Sequence, residues 1–140
     1  MTRARRVVNA ERAARPDLPL SHAVAHGEVL YVGGQAGLDP VTGSPVGPTF
    51  AAQFRQAMSN LREVARAAGT DLEQTLKITV YVDDLDRYPE LNALYAEWFD
   101  RDPPARKVIC TPLLPGLLVE VDAIIALPTD GRVTPEGGAA

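Results

Sequence analysis

Apolar residues recur along this chain with two different periods, and each period marks a different kind of element. From Phe50 the large apolar positions fall at Phe54, Met58, Leu61 and Val64, with alanines between them. That is a 3.6-residue stripe and predicts an amphipathic helix. Thr49 is placed to cap its start, and Gly69 follows its last turn. Leu76-Lys77-Ile78-Thr79-Val80-Tyr81-Val82 then alternates strictly and is rich in β-branched residues. It predicts a strand with Leu76, Ile78, Val80 and Val82 on one face. A second helical stripe follows at Leu91, Leu94, Tyr95, Trp98 and Phe99, ended by the segment Asp100 to Pro104.

The flanking regions read as strands. Ser21–Ala25 and Glu28–Val32 are short strand-like runs joined by His26-Gly27 as a tight turn, and Gly33-Gly34-Gln35-Ala36-Gly37 ends the second run. Residues 1–20 contain Pro16 and Pro19 and predict an arm with at most one short strand. At the other end, Pro104–Cys110 and Leu117–Ala126 predict two neighbouring strands joined by a turn containing Pro112, Pro115 and Gly116. The order of strands, helix, strand, helix and strands predicts an α+β domain over residues 1–128: one mixed sheet with two helices packed on one face. Residues 129–140 hold little apolar content and are expected to form a flexible tail. The run Leu117–Ile125 carries aliphatics on both alternating faces, Val119, Val121, Ala123 and Ile125 on one and Leu118 and Ile124 on the other. Helices can cover only one of those faces. The other is expected to meet a second subunit near Glu120.

Composition narrows the partners. The formal net charge is −4 over 140 residues and the pI is ≈ 5.1, which gives no drive toward nucleic acid or an anionic membrane. The basic start Met1–Arg6 is not followed by the apolar stretch of a signal peptide. The apolar region Val108–Leu127 is broken by two prolines, a glycine, Glu120 and Asp122, so it does not read as a membrane helix. With the single cysteine, Cys110, these features predict a cytoplasmic protein.

Two charges set among branched aliphatics carry the candidate chemistry, Arg106 and Glu120. A guanidinium fork holds a carboxylate by two parallel hydrogen bonds, and a carboxylate can activate water. The competing reading is structural: Arg106 paired with Glu120 or Asp122 as an ion pair between subunits. Lys107 reads as solvated, and Cys110 as a small buried hydrophobe. Trp98, Phe99 and Tyr95 read as core. His22 and His26 lack a third ligand at metal spacing, so no metal is expected. Gly33, Gly34 and Gly37 do not open a helix and form no phosphate loop.

Gly34-Gln35 after a strand, Arg66-Ala67-Ala68-Gly69, Lys77 through Leu85, Asn92-Ala93-Leu94-Tyr95, Pro104-Ala105-Arg106 and Val119 through Ile124 together resemble the RidA/YjgF family over about Leu20 to Leu127. The resemblance implies a chorismate-mutase-like domain assembled as a homotrimer, with sites between subunits. It also implies hydrolysis of reactive 2-enamine and 2-imine acids to 2-keto acids and ammonia without metal or cofactor. It assigns Arg106 to the substrate carboxylate and Glu120 to the hydrolytic water, and it places Gly34, Asn92 and Val108 near the substrate. The chain departs from the family pattern at three substrate-lining positions. Leu20 stands where the family has an aromatic hydroxyl, Gly33 where it has a small hydroxyl, and Val108 where it often has cysteine. A non-catalytic carboxylate-binding or regulatory trimer therefore stays open beside the deaminase. A ribonuclease or translation-inhibitor role is disfavoured by the charge.

Overall fold

The computed structural model describes residues 4–129, so the expected tail lies, beyond Thr129, outside the described residues. Its elements are β1 (Arg6–Val8), β2 (Ala23–His26), β3 (Val29–Ala36), α1 (Phe50–Ala67), β4 (Thr75–Val82), α2 (Tyr88–Tyr95), β5 (Ala105–Cys110) and β6 (Val119–Ala126). The strands form one six-stranded sheet in the order β1-β2-β3-β6-β4-β5. Only β4 and β5 run parallel, and the other neighbours are antiparallel. A parallel pair needs a crossover, and α2 supplies it.

The α1 stripe lands as its period dictates. Phe50, Phe54, Met58, Leu61 and Val64 are all buried, packed with Leu30, Ile78, Val80, Val121 and Ile125 from the sheet. The Thr49 hydroxyl accepts the Ala52 N–H at 3.2 Å, and Gly69 follows the helix with φ +88, as a left-handed exit requires. Two buried amides on α1 stitch it to loops. Gln53 donates to the carbonyls of Gly47 and Gly116, each at 2.8 Å, and accepts the Leu118 N–H at 2.8 Å. Asn60 donates to the carbonyls of Ala36 and Leu38, each at 3.0 Å. Gln53 thereby fixes the entry to β6.

Several expectations need correction. β5 and β6 are not neighbours, because the crossover through α2 lays β5 on the far side of β4. The hairpin turn is Gly27-Glu28, with His26 opposite Val29 and Gly27 at φ +61. β3 does not stop at Gly33. A register shift between Val32 and Gln35 sets Gly33 and Gly34 together opposite Asp122, a bulge that lets the strand run on to Ala36. A second shift between Thr75 and Lys77 turns Leu76 out of the buried row, leaving it 51% exposed. α2 ends at Tyr95, and the half-buried Trp98 and Phe99 pack on the core from the turn beyond it.

His22 is structural. Its Nδ1 accepts the Ala10 N–H and its Nε2 donates to the Ala14 carbonyl, both at 2.9 Å, while Asn9 Oδ1 accepts the His22 N–H at 2.9 Å. The ring ties the N-terminal arm to the start of β2. Among the described residues, no group of three or more His, Cys, Asp and Glu side chains is placed to hold a metal ion. Among them, too, no helix is long and apolar enough to cross a membrane.

Candidate functional site

Register decides which side chains can meet. In β4 and β5, Ile78 lies beside Arg106, Val80 beside Val108 and Val82 beside Cys110. Ile78, Val80 and Val82 are fully buried under the helices, so Arg106, Val108 and Cys110 project to the helix-covered side of the sheet. In β4 and β6, Tyr81 lies opposite Glu120 and Thr79 opposite Asp122. These residues alternate with the buried row and project to the open side. Within one chain, Arg106 and Glu120 therefore stand on opposite faces, with β4 between them. Among the described residues of one chain, no carboxylate forms a salt bridge with Arg106.

The Arg106 half is built by α2 leaning on β5. Arg106 Nη2 donates to Asn92 Oδ1 at 2.9 Å and to the Tyr88 hydroxyl at 3.2 Å. The guanidinium carbon lies 4.7 Å from the centre of the Tyr95 ring and 5.7 Å from that of Tyr88. An aromatic face and an amide oxygen together hold the plane of the fork. Tyr95 is buried under this contact, and burial pushes its phenol up to about 12 against the opposing pull of the Arg106 charge. Val108 sits half-buried one step along the strand. Asn92 and Arg106, both expected near the substrate, are thus in direct contact. Tyr88 and Tyr95 were missed as partners of Arg106: Tyr95 falls in the core stripe of α2, and the only signal was its position near Asn92 on the helix.

The Glu120 half is built by β3, β4 and β6. A Cβ on Gly34 would lie 2.5 Å from Glu120 Oε2, so the absent side chain is what admits the carboxylate. Burial, then repulsion from Asp122, raises the proton affinity of Glu120 above the ordinary carboxylate range. The Tyr81 hydroxyl donates to Asp122 Oδ2 at 2.7 Å. That bond first, then burial and the charges of Asp122 and Glu120, pushes the phenol up to about 12. The Tyr81–Asp122 pair was not foreseen, although the alternation of both strands already put the two residues on the face of Glu120.

Cys110 is exposed, not buried. β5 is the edge strand, and Cys110 is its last residue, with Sγ 3.7 Å from the Asp83 carbonyl oxygen. Lys107 is exposed, as its solvated reading requires.

Comparison with known proteins gives a consistent picture. The Endoribonuclease L-PSP family profile matches residues 10–127. The chain is 36% identical over 119 residues to a RutC family protein of Pyrococcus horikoshii, covering 84% of this chain and 94% of that one. It is 33% identical over 121 residues to the 2-iminobutanoate/2-iminopropanoate deaminase of Homo sapiens, covering 86% and 88%. The crystal structure of RidA from the Antarctic bacterium Psychrobacter sp. PAMC 21119 superimposes with a TM-score of 0.83 at 28% identity, over 87% of this chain and 99% of that one.

Proposed function

The chain belongs to the RidA/YjgF family, whose Endoribonuclease L-PSP profile it matches, and from that premise we propose that it hydrolyses 2-enamine and 2-imine acids to 2-keto acids and ammonia. The observation that carries this reading is the Glu120 carboxylate, seated in the space left by Gly34 with a raised proton affinity. A carboxylate in that condition is a better base than a solvated one. Arg106 holds the substrate carboxylate, and Asn92 and Tyr95 hold Arg106 in plane. Glu120 takes a proton from a water molecule as the water oxygen bonds to the C=N carbon; the π electron pair moves to the imine nitrogen, which takes a proton from solvent. The resulting carbinolamine collapses: its hydroxyl proton returns to solvent, the C=O bond forms as the C–N bond breaks, and the proton held by Glu120 leaves with the nitrogen as ammonia. Imines hydrolyse in water unaided, so positioning supplies much of the acceleration.

The two halves face opposite sides of one sheet, so the complete site takes Arg106, Asn92 and Val108 from one copy and Gly34 and Glu120 from another. The open face supports a homotrimer with a site at each contact. It carries Tyr31 and Ile124 opposite one another, and Tyr31 is 51% exposed in the single chain. A ribonuclease reading lacks comparable support, because the same face presents Glu120 and Asp122 to a polyanion.

Mixing variants tests both claims. Glu120→Gln and Arg106→Ala, each nearly inactive alone on freshly generated 2-iminopropanoate, are refolded together. Random assembly regenerates intact sites at about a quarter of the contacts, so ammonia release recovers to that order. No recovery in mixed assemblies of confirmed stoichiometry sinks the shared site. Absence of turnover by the wild type on any 2-imino acid sinks the deaminase.

A further inference from the structure

Two glycines of the run Gly33–Gly37 are required by close approach, and one is not. A Cβ on Gly37 would lie 2.5 Å from the Gln53 carbonyl oxygen, and one on Gly34 would lie 2.5 Å from Glu120 Oε2. Gly33 has no such neighbour: a Cβ there would meet the His22 carbonyl oxygen at 3.6 Å and that of Ser21 at 3.8 Å, which are ordinary contacts. Nor does its backbone need glycine. The positive-φ glycines among the described residues are Gly27, Gly43, Gly69 and Gly116. The missing side chain at Gly33 relieves no strain; it leaves room.

The bulge shows where that room lies. Doubling two residues opposite Asp122 turns both Gly33 and Gly34 to the open face. Glu120 occupies the space over Gly34. The space over Gly33 opens into a groove of ≈ 550 Å³ walled by Leu20, Val24 and Tyr31, with Ser21 and Arg5 at its edge, a volume in the range of small-molecule sites. Leu20 is 43% exposed and outside the core. Its position is nonetheless fixed, because His22 two residues on is held by hydrogen bonds from Ala10 and to Asn9 and Ala14. An apolar wall is therefore held in place next to Gly34, over which Glu120 sits, and none of the described residues fills it.

We propose that this groove receives the side chain of the 2-imino acid, and that the protein acts on acids with branched or aromatic apolar side chains in preference to 2-iminopropanoate. The inference rests on the deaminase reading and specifies its substrate class. It is tested with the full chain in its assembled form, using imino acids generated in situ from alanine, leucine and phenylalanine by an amino-acid oxidase. The wild type is expected to favour the leucine- and phenylalanine-derived substrates in kcat/KM by roughly tenfold or more, the scale on which an apolar pocket discriminates methylenes. Gly33→Val, which fills the groove, should lower that ratio at least about tenfold. Leu20→Ser, outside the core, should move it the same way and serves if Gly33→Val does not fold. A wild type that favours the alanine-derived substrate, or a ratio unmoved by the substitutions, overturns the proposal. Calorimetry with pyruvate and 4-methyl-2-oxopentanoate separates this failure from that of the deaminase. If no imino acid is turned over, the groove still stands when the larger keto acid binds tighter and loses that margin in the variants, and it falls when there is no margin.

Discussion

The two faces of the sheet are made by alternate residues of the same strands, yet they do different work. On the covered face, Val119, Val121, Ala123 and Ile125 of β6 pack with Ile78, Val80 and Val82 of β4 beneath α1. On the open face the intervening residues are Glu120, Asp122 and Ile124, with Thr79 and Tyr81 beside them, all half-buried. Each face also has a glycine against which an added Cβ would come within 2.5 Å of a neighbour. On the covered face Gly37 lies against the backbone of Gln53; on the open face Gly34 lies against the end of the Glu120 side chain. Helix backbone in a close-packed core has nowhere to go, whereas a carboxylate at a half-exposed site can swing aside. The lesson is that stability and chemistry are separated here by strand parity. A substitution's consequence is read from which face it touches before its size is considered.

The largest effect that tests this division is expected on the open face at Glu120. Glu120→Gln should lower kcat/KM by about 100- to 10,000-fold, the usual contribution of a general base. In the wild type, kcat/KM should fall as pH is lowered through the raised value of Glu120, and the variant should lose that limb of the profile. Stability should move the other way. Because the folded value is raised, ionising Glu120 is penalised only in the folded state. The penalty is absent below the ordinary carboxylate range and grows as pH rises through the folded value. Melting curves should show the variant more stable than the wild type at neutral pH and equal to it in acid. An unchanged activity profile would leave Glu120 without a catalytic role.

Next in size is Arg106, the charged residue on the helix-covered side that does not serve the core. Losing a hydrogen bond to a charged group costs about 1.5–3 kcal/mol, so Arg106→Ala should reduce kcat/KM by at least roughly 10- to 150-fold. Arg106→Lys should be nearly as impaired, since a lysine cannot reproduce a planar grip stacked on Tyr95. Both variants should assemble normally by sedimentation. Dissociation into monomers would make Arg106 a strut between subunits instead.

The smallest and sharpest comparison sets the two glycines side by side. Gly37→Ala should cost about 1–3 kcal/mol of unfolding free energy through overpacking against α1, with turnover per folded molecule preserved. Gly34→Ala should melt close to the wild type and lose activity by displacing the Glu120 carboxylate. Denaturation midpoints and kcat/KM measured on both variants decide it, and the opposite pattern would break the division between the faces.

The elements themselves were legible in the sequence because each rests on local energetics. The stripe from Phe50 to Val64 with Thr49 before it defined α1, and the aliphatics on both alternating faces of Leu117–Ile125 predicted a strand that helices cover on one side only. Arg106, Asn92, Val108, Gly34 and Glu120 were legible too as candidates, and the structure sets Arg106 against Asn92 and Glu120 against Gly34. Their division into two groups was not. It follows from β4 lying between β5 and β6 and from the register Ile78–Arg106 and Tyr81–Glu120. That pairing is decided by contacts between residues far apart in the chain, and no periodicity within a window encodes them. The two bulges escaped for the same reason: one extra residue in Gly33-Gly34 or at Thr75–Lys77 changes which way a side chain points without changing the apolar pattern. Leu76 therefore looked buried and is exposed. Local sequence determined which residues could form helices and strands and which carry candidate chemistry; only the tertiary pairing decided that one copy of the chain sets Arg106 and Glu120 on opposite faces of its sheet.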